Sequence, residues 1–208
     1  MNEALIESLQ RSLQQDKLDG WLFYSFRGSD PIAENILRLD HAKFTTRRWF
    51  YFVPANGTPQ KIVHAIETGT LDSLPGDKRV YLPWQQLHQT LRETLSGVKK
   101  VAMQYSPLNA IPYVSRVDAG TIELIRSFGV EVVSSADLVQ VFEAVWTEEQ
   151  LETHLYAARH MREIVDAVAK EVRRRVQENA GATEVEIQNF LLEEYERRDL
   201  IAGHPPPC

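Results

Sequence analysis

The sequence predicts an α/β domain built on a mixed sheet, followed by a helical hairpin that opens a second domain. Three observations lead there. Segments of helical and strand periodicity alternate from residue 3 to about residue 145. Asn56-Gly57, a turn signal between two apolar runs, inserts an antiparallel hairpin into that alternation. After Trp146 the alternation stops, and two amphipathic segments follow, each announced by a capping box. The change of pattern sets the expected domains at 1–144 and 145–208.

Taken in order, Leu5, Ile6, Leu9 and Leu13 stand at helical spacing over residues 3–16. Trp21-Leu22-Phe23-Tyr24 reads as a buried strand. Ser29 or Asp30 can cap a short helix over Pro31–Leu39, with proline at its first position. Trp49–Val53 is a strand by β-propensity, and Gln60–Ile66 returns beside it. Arg79–Leu82 is a short strand. Trp84, Leu87, Leu91 and Leu95 form one helical face that ends at Gly97. Lys100–Gln104 is the next strand, and Pro107 and Pro112 make the stretch after it irregular. Asp118–Phe128 is a helix stopped by Gly129, Val130–Val133 a strand, and Ser135–Val145 a helix capped by Ser135.

In the second domain Thr147 caps a long helix, with Gln150 reaching back to it. Leu151, Leu155, Ala158, Met161, Val165, Val168, Val172 and Val176 recur along one expected apolar face. Asn179-Ala180-Gly181 ends that helix. Thr183 and Glu186 form the next capping box, and Phe190, Leu191 and Tyr195 supply the stripe of the second helix. The Gly203-His204-Pro205-Pro206-Pro207-Cys208 end cannot continue a helix. The expectation is therefore a chain that opens a second domain and stops.

Composition excludes several classes. The 208 residues are 43% hydrophobic and 25% charged, as in an ordinary globular chain. A net charge of −6 argues against a general nucleic-acid or acidic-membrane binder. No apolar run is long enough for a transmembrane helix. The acidic start lacks the basic and apolar regions of a signal peptide. Cys208 is the single cysteine, which fits a reducing, cytoplasmic setting.

The motifs of common chemistries are absent. There is no phosphate-binding Gly-rich loop and no Gly-x-Ser-x-Gly elbow. His154 and His160, six apart on one helix, point about 120° from each other and cannot grip one ion. His88 and His64 read as packed, hydrogen-bonded histidines at the core edge, and His41 sits in a loop without a partner. No His-Glu-x-x-His or Cys-x-x-Cys pattern occurs. Glu186, Glu193, Glu194 and Glu196, like Arg173-Arg174-Arg175, read as solvated helix faces. The one candidate substrate-binding pair is Arg47 and Arg48, in Thr46-Arg47-Arg48-Trp49. Two guanidiniums entering an aromatic strand could fork onto a carboxylate, although a structural ion pair is the commoner use. No catalytic or metal-ligating residue is assigned.

A resemblance adds to this reading. Ala144-Val145-Trp146-Thr147-x-x-Gln150, a long helix, and then Gly181-Ala182-Thr183-Glu184-x-Glu186 resemble the opening of the pita-bread catalytic domain. That domain belongs to the creatinase, prolidase and Xaa-Pro aminopeptidase family of metallopeptidases. Residues 109–121 (Asn-Ala-Ile-Pro-Tyr-Val-Ser-Arg-Val-Asp-Ala-Gly-Thr) and Val132-Val133-Ser134-Ser135-Ala136-Asp137-Leu138 resemble the N-terminal α/β domain of bacterial members. The resemblance covers essentially the whole chain.

It implies a hydrolase that cleaves next to proline, using two divalent ions (Mn, Co or Zn) held by two Asp, one His and two Glu. In the family those ligands follow the Gly-x-Thr-Glu helix, and this chain ends before them. His204, in a His-Pro-Pro context, takes no catalytic role. The chain alone is therefore expected to bind no metal and to be non-catalytic. It is expected to serve oligomerisation and to shape the substrate entrance, with neither nucleic acid nor membrane as partner. The alternatives are a stand-alone interaction module and part of a creatinase-like amidinohydrolase.

Overall fold

The aromatic strand Gly20–Ser25, β1, is buried along its whole length, so both of its faces must be covered. The computed structural model describes residues 2–40 and 45–201 and shows how. The chain divides into two compact units, residues 1–145 and 146–208, each described by itself below.

The first unit is a six-stranded mixed sheet of order β4-β3-β2-β1-β5-β6. Its strands are β1, β2 (Trp49–Pro54), β3 (Gln60–His64), β4 (Asp77–Tyr81), β5 (Lys100–Met103) and β6 (Glu131–Ser134). Its helices are α1 (Asn2–Gln15), α2 (Pro31–Ile36), α3 (Trp84–Thr94), α4 (Ala119–Arg126) and α5 (Ala136–Phe142). Alternation of side chains sorts the core into two layers. Trp21, Phe23, Trp49, Tyr51 and Val63 pack on one face with Leu9 and Leu13 of α1, Ala33 of α2 and Leu138 of α5. Leu22, Tyr24, Phe50, Phe52 and Ile62 pack on the other with Leu87 and Leu91 of α3 and Ile122 and Ile125 of α4. Helices thus cover both faces of the sheet.

The hairpin expected at Asn56-Gly57 is the antiparallel β2–β3 pair. Two pairings differ from simple alternation. β1 and β2 are antiparallel although α2 lies between them. β3 and β4 are parallel, joined by residues 65–76 without a helix between them. Helical periodicity between two strands reports where apolar side chains recur, and it does not fix the direction in which the chain returns. β1, β5 and β6 run parallel, as the later alternation implied.

Close approach of β1 and β2 requires glycine at position 20, where a Cβ would lie 2.8 Å from the Val53 carbonyl oxygen and 2.3 Å from the edge of the Phe52 ring. The start of β5 is pinned by Asp19, whose carboxylate accepts the Lys99 and Lys100 amides at 2.7 and 2.8 Å. Asp30 is the cap of α2 and Asp118 that of α4, each accepting an amide three residues on. Ser135 holds the cap position of α5 but makes no side-chain cap bond, and α5 ends at Phe142 rather than Val145. α2 likewise stops at Ile36, short of the expected Leu39. The Pro107 and Pro112 stretch forms two 3-10 turns.

The second unit is a helix pair, α6 (Glu148–Gln177) and α7 (Glu184–Glu196), with both expected capping boxes formed. Asn179 and Gly181 adopt the left-handed conformation between them. The packing face of α6 differs from the expected stripe. Ile164 is its one buried residue, at 1% exposure, and Ala157, His160, Val168, Glu171 and Arg175 are half-buried on the same side. Polar links tie the pair: the Tyr156 hydroxyl donates to the Arg198 carbonyl at 3.1 Å, and Arg175 contacts both Glu171 and Glu186. Leu151, Leu155, Met161, Val165, Val172 and Val176 are exposed. A mixed apolar and charged face won over a purely apolar one because long Arg and Glu stems also exclude water. Among the described residues no helix is long and apolar enough to cross a membrane.

Candidate functional site

Arg47 and Arg48 enter β2 from residues 45–48, and Glu67, just past β3, holds that segment. Its carboxylate accepts the Thr46 amide at 2.9 Å, the Arg47 amide at 3.0 Å, and the Thr46 hydroxyl. Burial alone would raise the Glu67 pKa. The Thr46 and Arg47 hydrogen bonds outweigh it and hold the group below its ordinary range. Arg47 is exposed, and its charge also favours the Glu67 carboxylate. Arg48 is half-buried, and its carbonyl accepts the Tyr81 hydroxyl at 2.7 Å. His88 is pushed down by burial first and then by the charges of Arg48 and Arg92. The carboxylate that this segment meets is thus the protein's own Glu67.

A cavity of about 420 Å³ lies nearby, where the end of α2 meets Thr45, Trp49 and residues 67–73. Glu34, Asp40, Glu67 and Asp72 line it, with Arg38, and neither Arg47 nor Arg48 does.

Each of the described histidines has its own neighbours within its unit. His64 Nδ1 accepts the Ile66 amide at 3.1 Å, and its ring meets Tyr81 edge-on. His88 packs edge-on against Trp84, and His154 lies tilted over Trp146 at 4.3 Å between ring centroids. His160 bonds Glu163 at 2.9 Å. Among the described residues no three His, Cys, Asp or Glu side chains converge to hold a metal ion. A dinuclear metal pair therefore does not fit the donors described. His41, His204 and Cys208 lie outside the described residues.

By sequence Asp30 and Ser135 are helix caps, and Gln104 is the end of a strand. All three are fully buried. The Asp30 Oδ1 atom accepts the Ala33 amide at 3.0 Å, and Gln104 Oε1 accepts the Trp21 indole N–H at 3.1 Å. The Asp-Pro pair at a helix start was the only sequence signal for Asp30, and Gln104 carried none. Burial pushes the Asp30 carboxyl up to about 7, with the Ala33 amide and the Arg116 charge pulling partly back.

Between the ordinary value near 3.8 and about 7, the folded chain keeps a proton that the unfolded chain has released. Stability contributed by Asp30 is therefore present below that window and falls as pH rises through it. Asp19 and Glu67, held below their ordinary ranges, act at lower pH and in the opposite sense. Asn caps a helix about as well as Asp. Asp30→Asn is expected to flatten the decline from pH 4 to 7 in urea unfolding midpoints. An unchanged slope would mean that Asp30 does not titrate there.

No protein-family model matches the sequence, and no curated protein matches it either. Among solved structures the chain is similar to the dipeptidase PepE from Mycobacterium ulcerans, with TM-score 0.57 and 15% identity over 95% of this chain and 49% of that one. It is similar to a recombinant prolidase from Thermococcus sibiricus, with TM-score 0.52 and 15% identity over 94% of this chain and 50% of that one. A proline dipeptidase from Streptococcus pneumoniae gives TM-score 0.51 and 17% identity over 68% of this chain and 98% of that one. The chain spans about half the length of the first two structures. At these identities the likeness is one of fold: the chain carries the fold of the prolidases and proline dipeptidases, as the resemblance in its sequence implied.

Proposed function

We propose that this chain is the N-terminal portion of a proline-specific dinuclear metallopeptidase of the Xaa-Pro aminopeptidase or Xaa-Pro dipeptidase type. The observation that carries this reading is the likeness to PepE, which spans 95% of this chain and only 49% of that enzyme. In this reading the two divalent ions, Mn, Co or Zn, are held outside residues 1–208. The portion present is non-catalytic. It assembles copies of the cytoplasmic enzyme and shapes the entrance through which a peptide reaches the metal pair. The exposed stripe of α6, from Leu151 to Val176, supports the assembly role.

Two assays test the reading. The isolated chain, supplied with Mn, is expected to leave an Xaa-Pro dipeptide intact. The product of the reading frame continued past Cys208 is expected to hydrolyse it. Chelator-sensitive turnover by the isolated chain would place the site within residues 1–208 and overturn the proposal. So would a reading frame that stops without further Asp, His and Glu motifs.

A further inference from the structure

The turn between β2 and β3 carries a chemically reactive pair. Of the chain's asparagines, Asn56 alone is followed by glycine. The side-chain carbon of an asparagine is an electrophile within reach of the next residue's backbone nitrogen. A side chain on that next residue hinders the approach, and glycine has none. Asn56, Gly57 and Thr58 are exposed. No atom beyond its chain neighbours lies within 4 Å of a Cβ built at Gly57, so the space beside it is open. Among the described residues the Gly57 amide meets no acceptor.

Helix α1 grips this turn. Gln10 and Gln14, four apart, share a helix face beside the buried Leu9 and Leu13. Gln10 Nε2 donates to the Pro54 and Gly57 carbonyls at 3.0 and 2.8 Å. Gln14 Nε2 donates to the Ala55 carbonyl at 2.8 Å and to Asn56 Oδ1 at 2.9 Å. The Ala55 carbonyl can only accept, so the Gln14 atom beside it is the NH₂ group. The Asn56 atom facing that same group is therefore its carbonyl oxygen. A donor thus sits on the oxygen that gains negative charge when the Asn56 side-chain carbon is attacked, which is the place of an oxyanion donor.

We propose that Asn56-Gly57 is a self-modification site, at which the folded chain converts Asn56 to aspartate and isoaspartate with Gln14 as activating donor, and that isoaspartate there loosens α1. The Gly57 nitrogen gives its proton to hydroxide and bonds to the Asn56 side-chain carbon. The bond from that carbon to the amide nitrogen breaks, and the nitrogen takes a proton from water and leaves as ammonia. A five-membered succinimide remains. Water adds to one of its two carbonyls and breaks the bond from that carbonyl to nitrogen. Water is the sole co-reactant, and nothing is oxidised or reduced. Opening at the side-chain carbonyl leaves ordinary aspartate. Opening at the main-chain carbonyl leaves isoaspartate, whose main chain runs through the side-chain methylene and is longer by that atom. Either product adds a negative charge. The longer main chain carries the Gly57 carbonyl away from Gln10, whereas aspartate keeps an oxygen for Gln14. The proposal is independent of the peptidase reading.

The test follows the parent chain and Gln14→Ala at mildly alkaline pH, in buffer and in urea. Mass spectrometry of the peptide containing residue 56 reads conversion, and chromatography separates isoaspartate from aspartate. Gln14 is exposed and alanine suits a helix, so the variant keeps the fold. In buffer the parent is expected to convert Asn56 faster than any other asparagine, and Gln14→Ala to do so several-fold more slowly. In urea, where Gln14 no longer faces Asn56, the two chains should convert alike. Hydrogen exchange of α1 amides should quicken in the isoaspartate fraction and stay at the parent rate in Asn56→Asp. An Asn56 that stays intact in buffer while converting in urea would overturn the proposal. Equal or faster conversion of folded Gln14→Ala would do the same, as would α1 exchange unchanged by isoaspartate.

Discussion

Replacing Trp21 with alanine is expected to destabilise the first unit by about 3–5 kcal/mol, the range for a large buried aromatic cut to a methyl group. Trp21 exposes none of its surface. Its ring stacks on Phe23 at 4.4 Å between centroids and meets Phe142 of α5 at 6.2 Å, so it joins the central strand to a covering helix. Its indole N–H is the bond to Gln104 Oε1. Trp21→Phe separates the two contributions, since it keeps an aromatic ring and removes the donor. Its expected loss is smaller, about 1–3 kcal/mol, the cost of a buried acceptor left unpaired. Hydrogen exchange at β1 and β5 amides would read both losses within this unit, whatever the second unit does. A Trp21→Ala loss under about 1 kcal/mol, or a Phe variant as damaging as the Ala one, would contradict this account of the core.

The second large effect concerns assembly. Val165 is 62% exposed on α6, in line with Leu155, Met161, Val172 and Val176. Apolar side chains grouped in this way form a patch that monomers seldom leave open. A closed two-fold contact allows the same stripe to cover itself. The chain is accordingly expected to self-associate through residues 151–176, and Val165→Asp to weaken that association. Burying one such side chain contributes about 1.5–3 kcal/mol, so its loss corresponds to roughly 10- to 100-fold in the dissociation constant. Sedimentation equilibrium of both proteins would show it. Ile164→Ala is the control, because Ile164 faces α7 and its loss should loosen the helix pair without touching the stripe. A parent chain that stays monomeric at high micromolar concentration with α6 protected from exchange would rule out pairing. Equal constants for the parent and Val165→Asp would place the interface elsewhere.

Local chemistry made much of this molecule legible from residues alone. Trp21–Tyr24 and Trp49–Val53 announced the central strands because a run of aromatic and β-branched side chains fits a sheet covered on both faces. Thr147 with Gln150, and Thr183 with Glu186, announced the helix starts because a capping box is completed within four residues. The end of α5 was less legible, because no cap or glycine marks it and Phe142 is drawn into packing with Trp21.

Only the tertiary structure decided how these elements meet. The direction of β2 against β1, and of β4 against β3, depends on pairings between residues distant in sequence, and neither periodicity nor turn chemistry carries that information. The face of α6 that meets α7 was decided by Ile164 with the long stems of Glu171 and Arg175, a combination that a count of apolar residues does not see. Asp30, Gln104 and Ser135 stand far apart in the chain and are ordinary residues singly. Parallel pairing of β5 with β1 and β6 brings them to one end of the sheet, where all three are buried. A sequence lists the polar groups of a protein, and the dielectric around each of them is set by what the fold packs against it.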